Sequence, residues 1–382
     1  MRKFAAALKL CMALLVTVIF CVTAWAFDDP LENSAIFTPL APKTLLLDIT
    51  RSGNRLIAVG QRGHIILSDD NGKSWQQAQV PVQETLTSVF ILAGGQTGWV
   101  TGHSGLILVS HDAGQTWSKQ LDGDQVNRLA VAAYQQAVKL KRAELDTASD
   151  PARGKLQTEL DDLDLALEDA KAFGEEGATR PFLDILFLNE REGFAVGPFG
   201  LLVQTTDGGD SWTCISPAID NPEGLHYNAL ALVGKVIFLA GERGFARRSF
   251  DRGSSWQPLE TPYPGSYFAV GGKLHDIILL GLRGNAVVSH DSGDTWKAVD
   301  SGAKTNLSSL QMLSDGRFLV SQYSPNLLVL DDQLSRLIPL PWTAGIAVSS
   351  FAFAPDGSLV TVGVGGVNRI STPDFSIKAD SP

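Results

Sequence analysis

The stretch GHSGLILVSHDAGQTW, Gly102 to Trp117, opens as a glycine-bounded turn, runs on as an apolar strand, and ends in Ser, Asp, Gly, Thr and Trp at close spacing. The same pattern returns as GQRGHIILSDDNGKSW from Gly60, GPFGLLVQTTDGGDSW from Gly197, GERGFARRSFDRGSSW from Gly241 and GLRGNAVVSHDSGDTW from Gly281. Such repetition marks an architecture in which one small unit cannot bury its own apolar face and stacks on its neighbours. The opening glycines lie 42, 95, 44 and 40 residues apart, so one interval carries about 53 residues beyond a period near 42.

Two degraded copies, SQYSPNLLVLDDQ from Ser321 and GVGGVNRIST from Gly363, bring the number to seven. A period of 40–44, with short strands between Gly-rich turns, is what a four-stranded propeller blade requires. The expected fold is all-β: a seven-bladed β-propeller over 27–382 with an inserted α-helical hairpin. In the first blade, LLLDIT, RLIAVG, HIILS and the segment after Trp75 read as strands from the axis outward. The seventh blade runs short of chain at its outer edge. The segment from Ala35 to Leu40 is expected to supply the missing strand and so close the ring.

The insertion, 123–178, is rich in alanine and poor in glycine. Val126, Ala130, Ala133, Ala137 and Leu140 form one stripe at helical spacing, and Leu156, Leu160, Leu163, Leu167 and Ala170 form a second. Ser149, Asp150 and Pro151 mark a break and a new helix start, which predicts two antiparallel helices joined near Ala148. With 12 acids against seven bases the segment is acidic. A connection from the outer strand of one blade to the inner strand of the next emerges on the same face as the turns between second and third strands.

Composition narrows the function. Globular proportions, 44% hydrophobic and 19% charged, exclude a disordered or fibrous chain. A net charge of -10 has the wrong sign for a phosphate backbone, so no nucleic-acid partner is expected. Residues 1–26 combine a basic start, an apolar run and the small-residue pattern Ala24, Trp25, Ala26, the marks of a cleaved secretory signal. The expected product is exported and most readily periplasmic, either soluble or peripherally attached to a membrane. Removal of the signal leaves Cys214 as the one cysteine, read as a small apolar filler without a disulfide partner.

The SxDxGxTW string resembles the Asp box, or bacterial neuraminidase repeat, of sialidases, sortilin-type receptors and several assembly factors. Asp70, Asp112, Asp207, Asp251 and Asp291 are placed to accept turn amides, and Trp75, Trp117, Trp212, Trp256 and Trp296 to pack between blades. Five copies argue for a structural device and against a catalytic one. His111 and His290 share the position before the Asp, but they fall on separate blades without ligand-spaced partners, so no metal and no cofactor is expected. More discriminating are Arg62, Arg243 and Arg283, which occupy one position in QRG, ERG and LRG turns, with His103, Pro198 and Phe199 at the corresponding turns of the second and third blades. Arginines on one face are suited to carboxylate or phosphate recognition.

Seven blades, VGxxG-type turns and Asp boxes together resemble the photosystem II stability and assembly factor propellers. That resemblance covers nearly all of the expected mature chain except the helical insert. It implies a noncatalytic protein that helps a membrane protein complex to assemble, with Arg62, Arg243 and Arg283 as partner contacts. The ordinary secretory signal and the acidic hairpin depart from the family, which leaves room for a nonphotosynthetic client such as a transporter. An Asp-box glycosidase and a sortilin-like ligand-binding scaffold stay open as alternatives. Against the first stand the missing early arginine motif and the lack of an assignable catalytic pair; against the second stands the lack of a cysteine-rich module.

Overall fold

The computed structural model describes residues 29–371 and 373–375. The expected export signal lies outside the described residues. Seven antiparallel sheets follow one another along the chain, six of four strands and one of three, each with its strands in sequence order. The first consists of Leu46–Ser52, Arg55–Gly60, Ile65–Ser68 and Gln76–Gln77. Second strands such as Val236–Gly241 and Asp276–Gly281 are buried from their second residue onward, because neighbouring blades cover both faces, and so they read as continuous apolar runs. Outer strands are cut to two residues at Gln257–Pro258 and Lys297–Ala298, both exposed, which leaves little edge for another chain to pair with.

Between the blades lie the buried clusters. Trp117 packs with Ile57 and Leu67 of the first blade, and Trp212 with Trp99, Ile107 and Phe187 across the second seam. There Trp99 and Phe187 stack with centroids 3.4 Å apart. At the closing seam Leu46, Ile49 and Leu56 of the first blade share one cluster with Ala352, Val360 and Val362 of the seventh.

The expected fourth strand of the seventh blade is not formed by Ala35 to Leu40. That blade has three strands, Val348–Phe353, Leu359–Gly363 and Gly366–Ile370. Instead, the segment lies against the outer edge of the first blade. The Ala35 N–H donates to Val80 O at 3.0 Å, and Gln77 holds the Thr38 N–H and the Ile36 carbonyl through its side-chain amide. Pro39 and Pro42 explain the difference, since neither has an N–H to give a ladder. Beyond the third strand, Phe375 packs against Trp342 and Phe353, and the Trp342 indole N–H bonds the Asp374 carbonyl at 2.8 Å.

Two helices fill the long interval, α1 (Gly123–Thr147) and α2 (Asp150–Glu176). Asp122 and Gln125 form a reciprocal capping box at the start of α1. Buried Asn127 donates to the carbonyls of Phe173 and Gly177, closing the last turn of α2. Val126, Ala130 and Ala170 root the pair in the cluster between the second and third blades. Farther out, Val131, Tyr134, Val138 and Leu145 meet Leu160, Leu163 and Leu167. The expected α1 stripe is therefore out of phase at its far end. Leu140 is exposed, because the surface that meets α2 rotates toward Val138 once the helix leaves the propeller.

Candidate partner-binding face

In an antiparallel blade successive turns alternate between the two ends of the sheet, so each Asp box sits opposite the turn joining the second and third strands. Within a box the geometry repeats closely. Asp70 Oδ1 accepts the Ser74 N–H at 2.9 Å, Oδ2 accepts the Ser74 hydroxyl at 2.6 Å, and the Ser68 hydroxyl donates to Oδ1 at 2.8 Å. Asp112, Asp207, Asp251 and Asp291 accept the corresponding hydroxyl and amide. Hydroxyl and then amide donation hold Asp207 and Asp291 down at about 2. The indole N–H of Trp75, Trp117 and Trp296 donates to the box glycine's carbonyl. Those of Trp212 and Trp256 find no partner among the described residues. The degraded sixth copy keeps the carboxylate chemistry, since Asp331 accepts both the N–H and the hydroxyl of Ser335 at 2.7 Å.

On the other face, Arg62, Arg243 and Arg283 sit at φ 57°, 53° and 55°, in the left-handed region. Ser104 and Phe199, both at φ 57°, hold this position in the second and third blades. The next residue is always glycine. At Gly63 an added Cβ would lie 2.1 Å from the Val82 carbonyl oxygen, so the turn can rest on the linker into the following blade only without a side chain. Held this way, all three arginines project outward and are exposed. Arg243 forms an ion pair with Glu223. The side chains of Arg62 and Arg283 have no bonded partner among the described residues. Arg243 and Arg283 stand on adjacent blades, whereas Arg62 is three blades from either, so the arginines are spread around the face and do not converge on a point.

The hairpin rises from this same face. An added Cβ on Gly123, the first residue of α1, would meet the Ser104 carbonyl oxygen at 2.8 Å, and Phe173 near the end of α2 packs on Phe199 with centroids 5.0 Å apart. Phe199 in turn meets His226 at 4.8 Å. Cys214 is buried beneath the hairpin with its Sγ 3.4 Å from Ser216 Oγ, and burial pushes its thiol up.

Two groups of residues are brought together that the sequence reading passed over. Around the axis, a polar cavity of about 230 Å³ is lined by residues of all seven inner strands. Ser88 Oγ donates to Asp184 Oδ1 at 2.9 Å and lies 3.4 Å from Asp48 Oδ2. Each carboxylate also latches the next blade, Asp48 through the Val89 N–H and Asp184 through the Leu230 N–H. Burial raises both acids, Asp184 to about 6. The signal was present: Leu-Asp-Ile occurs twice, at Leu47 to Ile49 and Leu183 to Ile185, placing an acid in an otherwise apolar inner strand. The second group, Arg180, Tyr134 and Tyr227, encloses a cavity between the hairpin and the third blade. Among the described residues no cluster of three or more His, Cys, Asp or Glu side chains is placed to hold a metal ion, and no helix is long and apolar enough to cross a membrane.

Comparison with known proteins places this architecture. A solved structure of YCF48 from Cyanidioschyzon merolae superposes with a TM-score of 0.59, covering 87% of this chain and 96% of that one at 16% identity. A structure titled YCF48 bound to D1 peptide gives 0.59 over 91% and 99% at 14% identity. Both likenesses speak to the fold. In sequence, the photosystem II assembly lipoprotein Ycf48 of Synechococcus sp. (strain CC9902) is 25% identical over 216 residues, 54% of this chain. The match spans 63% of that relative's length. The model of one family, photosynthesis system II assembly factor YCF48, matches residues 36–150 and 175–380, on both sides of the region occupied by α2. With seven sheets, Asp boxes in five of them and a family match over 36–150 and 175–380, the chain belongs to the YCF48 family of photosystem II assembly factors.

Proposed function

We propose that the protein is a noncatalytic, exported assembly factor that docks an integral membrane protein complex, or a subunit of one, through the face bearing Arg62, Arg243, Arg283 and the helical hairpin. The observation that carries this reading is the shared left-handed turn position of the three arginines, which holds each guanidinium away from the backbone and in solvent. Exposed guanidinium groups on a rigid scaffold recognise carboxylates by paired hydrogen bonds. A related propeller solved with a D1 peptide is a precedent for a fold of this kind holding a segment of another chain. The client is met from the periplasmic side, in a photosynthetic complex or in another such as a transporter. The Asp boxes are scaffold, because each carboxylate is filled by its own turn.

In vivo crosslinking of the tagged protein, followed by membrane solubilisation and mass spectrometry, tests the reading. The wild type is expected to recover a reproducible membrane complex through the arginine face or the hairpin, and the combined Arg62→Ala, Arg243→Ala, Arg283→Ala variant to lose most of it. Equal recovery by that variant, folded by circular dichroism, removes the face from the proposal.

A further inference from the structure

Beneath the hairpin is a cavity of about 240 Å³ lined by two residues with buried, unpartnered polar atoms. Arg180 is 7% exposed and has no carboxylate bonded to it. One of its terminal nitrogens donates to Asn127 Oδ1 at 2.8 Å, its guanidinium lies 4.4 Å from the Phe173 ring centroid, and its Nε–H has no acceptor among the described residues. Tyr227 is fully buried, and its hydroxyl has no partner at hydrogen-bonding geometry among the described residues. Asn221 lies beside that hydroxyl and bonds the backbone of Leu225 through both its amide oxygen and nitrogen. Arg180 and Tyr227 line the same space. Buried donors without acceptors are rare and costly, and a buried guanidinium with no carboxylate bonded to it more so.

We infer that this cavity is a binding site for a small carboxylate, held by the Arg180 guanidinium and the Tyr227 hydroxyl. A carboxylate supplies only acceptors and one negative charge, which matches what the two residues lack. Apolar walls from Leu165, Phe173, Phe199 and Ile219 suit an apolar body on the ligand. At the rim, Asp169 disfavours dianions and phosphates and favours a ligand with a nearby ammonium, while Glu223 is paired with Arg243. The volume lies below the roughly 300–1,000 Å³ of pockets for drug-sized ligands, so the occupant is about the size of one amino-acid residue. Tyr134, whose hydroxyl burial pushes up to about 12, remains a neutral donor on the same wall. Of the three turn arginines, Arg243 touches the rim through its ion pair with Glu223, whereas Arg62 and Arg283 do not line the cavity.

Isothermal titration calorimetry on the full mature chain tests the inference with four probes: leucine, 3-phenylpropionate, and the tripeptide Ala-Ala-Leu with its carboxyl terminus free or amidated. Saturable binding of a free acid, weakened about tenfold or more by Tyr227→Phe and lost in Arg180→Gln, is the expected result. Binding of leucine or 3-phenylpropionate without the tripeptide identifies a free metabolite as the source. Binding of the free but not the amidated tripeptide identifies a chain terminus. Tyr227→Phe removes only an unpartnered oxygen, so it keeps the test decisive if Arg180→Gln fails to fold. No saturable binding by any acid, or equal binding by Tyr227→Phe, overturns the site. Replacement of Arg62 and Arg283, neither of which lines the cavity, should leave the binding unchanged, which separates this result from the fate of the docking face.

Discussion

Arg369 donates its Nε–H to the Asn71 carbonyl at 2.7 Å, tying the last strand of the seventh blade to the Asp-box turn of the first. The same guanidinium reaches Asp356 at 2.7 Å and Ser358 at 2.6 Å within its own blade. With no fourth strand in the seventh sheet among the described residues, this contact, the Asp356 N–H bond to Asn71 Oδ1 and the apolar cluster around Leu46 and Val360 hold the closing seam.

Arg369→Ala is therefore expected to lower stability by roughly 1–3 kcal/mol, the range for losing charge-assisted hydrogen bonds at a half-buried site. The measurement is a urea midpoint, with hydrogen exchange at the seam. An unchanged midpoint would show that apolar packing alone holds the ring shut.

Trp117 and Trp256 occupy equivalent positions, but only the Trp117 indole N–H has an acceptor, Gly114 O at 2.9 Å. Trp117→Phe should therefore destabilise more than Trp256→Phe, by about 1 kcal/mol, since a hydrogen bond is lost in one case and an orphaned donor removed in the other. Matched thermal unfolding of the two variants decides it; equal losses would mean that ring volume governs both sites.

At Arg283 the φ of 55° disfavours any residue with a Cβ, and a β-branched one most. Arg283→Val is expected to cost about 1–2 kcal/mol, while Arg283→Gly holds or slightly raises the unfolding midpoint. Because glycine also deletes the guanidinium, it is the cleaner substitution for separating docking from folding. A midpoint for the glycine variant well below wild type would contradict the turn assignment.

The carboxylates on the axis and in the boxes titrate in opposite senses. Burial raises Asp184 from 3.8 to about 6, so the folded state holds its proton more tightly than the unfolded chain. Its contribution to stability is full below about pH 4 and fades as pH rises through about 6. Asp207 and Asp291, lowered to about 2, contribute above about pH 4 and lose that contribution as pH falls through about 2. The stability of wild type relative to Asp184→Asn should thus be greatest near pH 4 and decline toward pH 7. Urea titrations of the pair across that range check it, and a constant difference would refute the shift.

The two ends of the hairpin nearly touch. An added Cβ on Gly123 would stand 2.8 Å from Ala178 Cα. Excising residues 124–177 and joining Gly123 to Ala178 should abolish the helical circular dichroism yet keep one cooperative unfolding transition. Stability should fall by roughly 2–5 kcal/mol as Val126, Ala130 and Ala170 leave the cluster around Trp212. Loss of folding would mean that the hairpin is part of the propeller core.

What could be read in the sequence was what repeats or is local. The Gly-to-Trp segments reveal blades because each turn must be built from its own residues, and Ser149 to Pro151 reveals the helix break for the same reason. Ala35 to Leu40 escaped because the choice between two exposed edges depends on distant partners, here Gln77 and Val80. Leu140 was misplaced because strict stripe counting ignores the rotation of a helix that leaves one packing surface for another. Arg180 and Tyr227 lie 47 positions apart and carry no motif, so nothing short of the fold shows them facing one cavity.

Phe199, exposed on its turn, meets Phe173 of the hairpin on one side and His226 on the other, at one seam of the ring. The other sheets repeat one strand plan around the ring. The helical pair at that seam breaks the rotational repetition of the ring and gives the wheel one marked position.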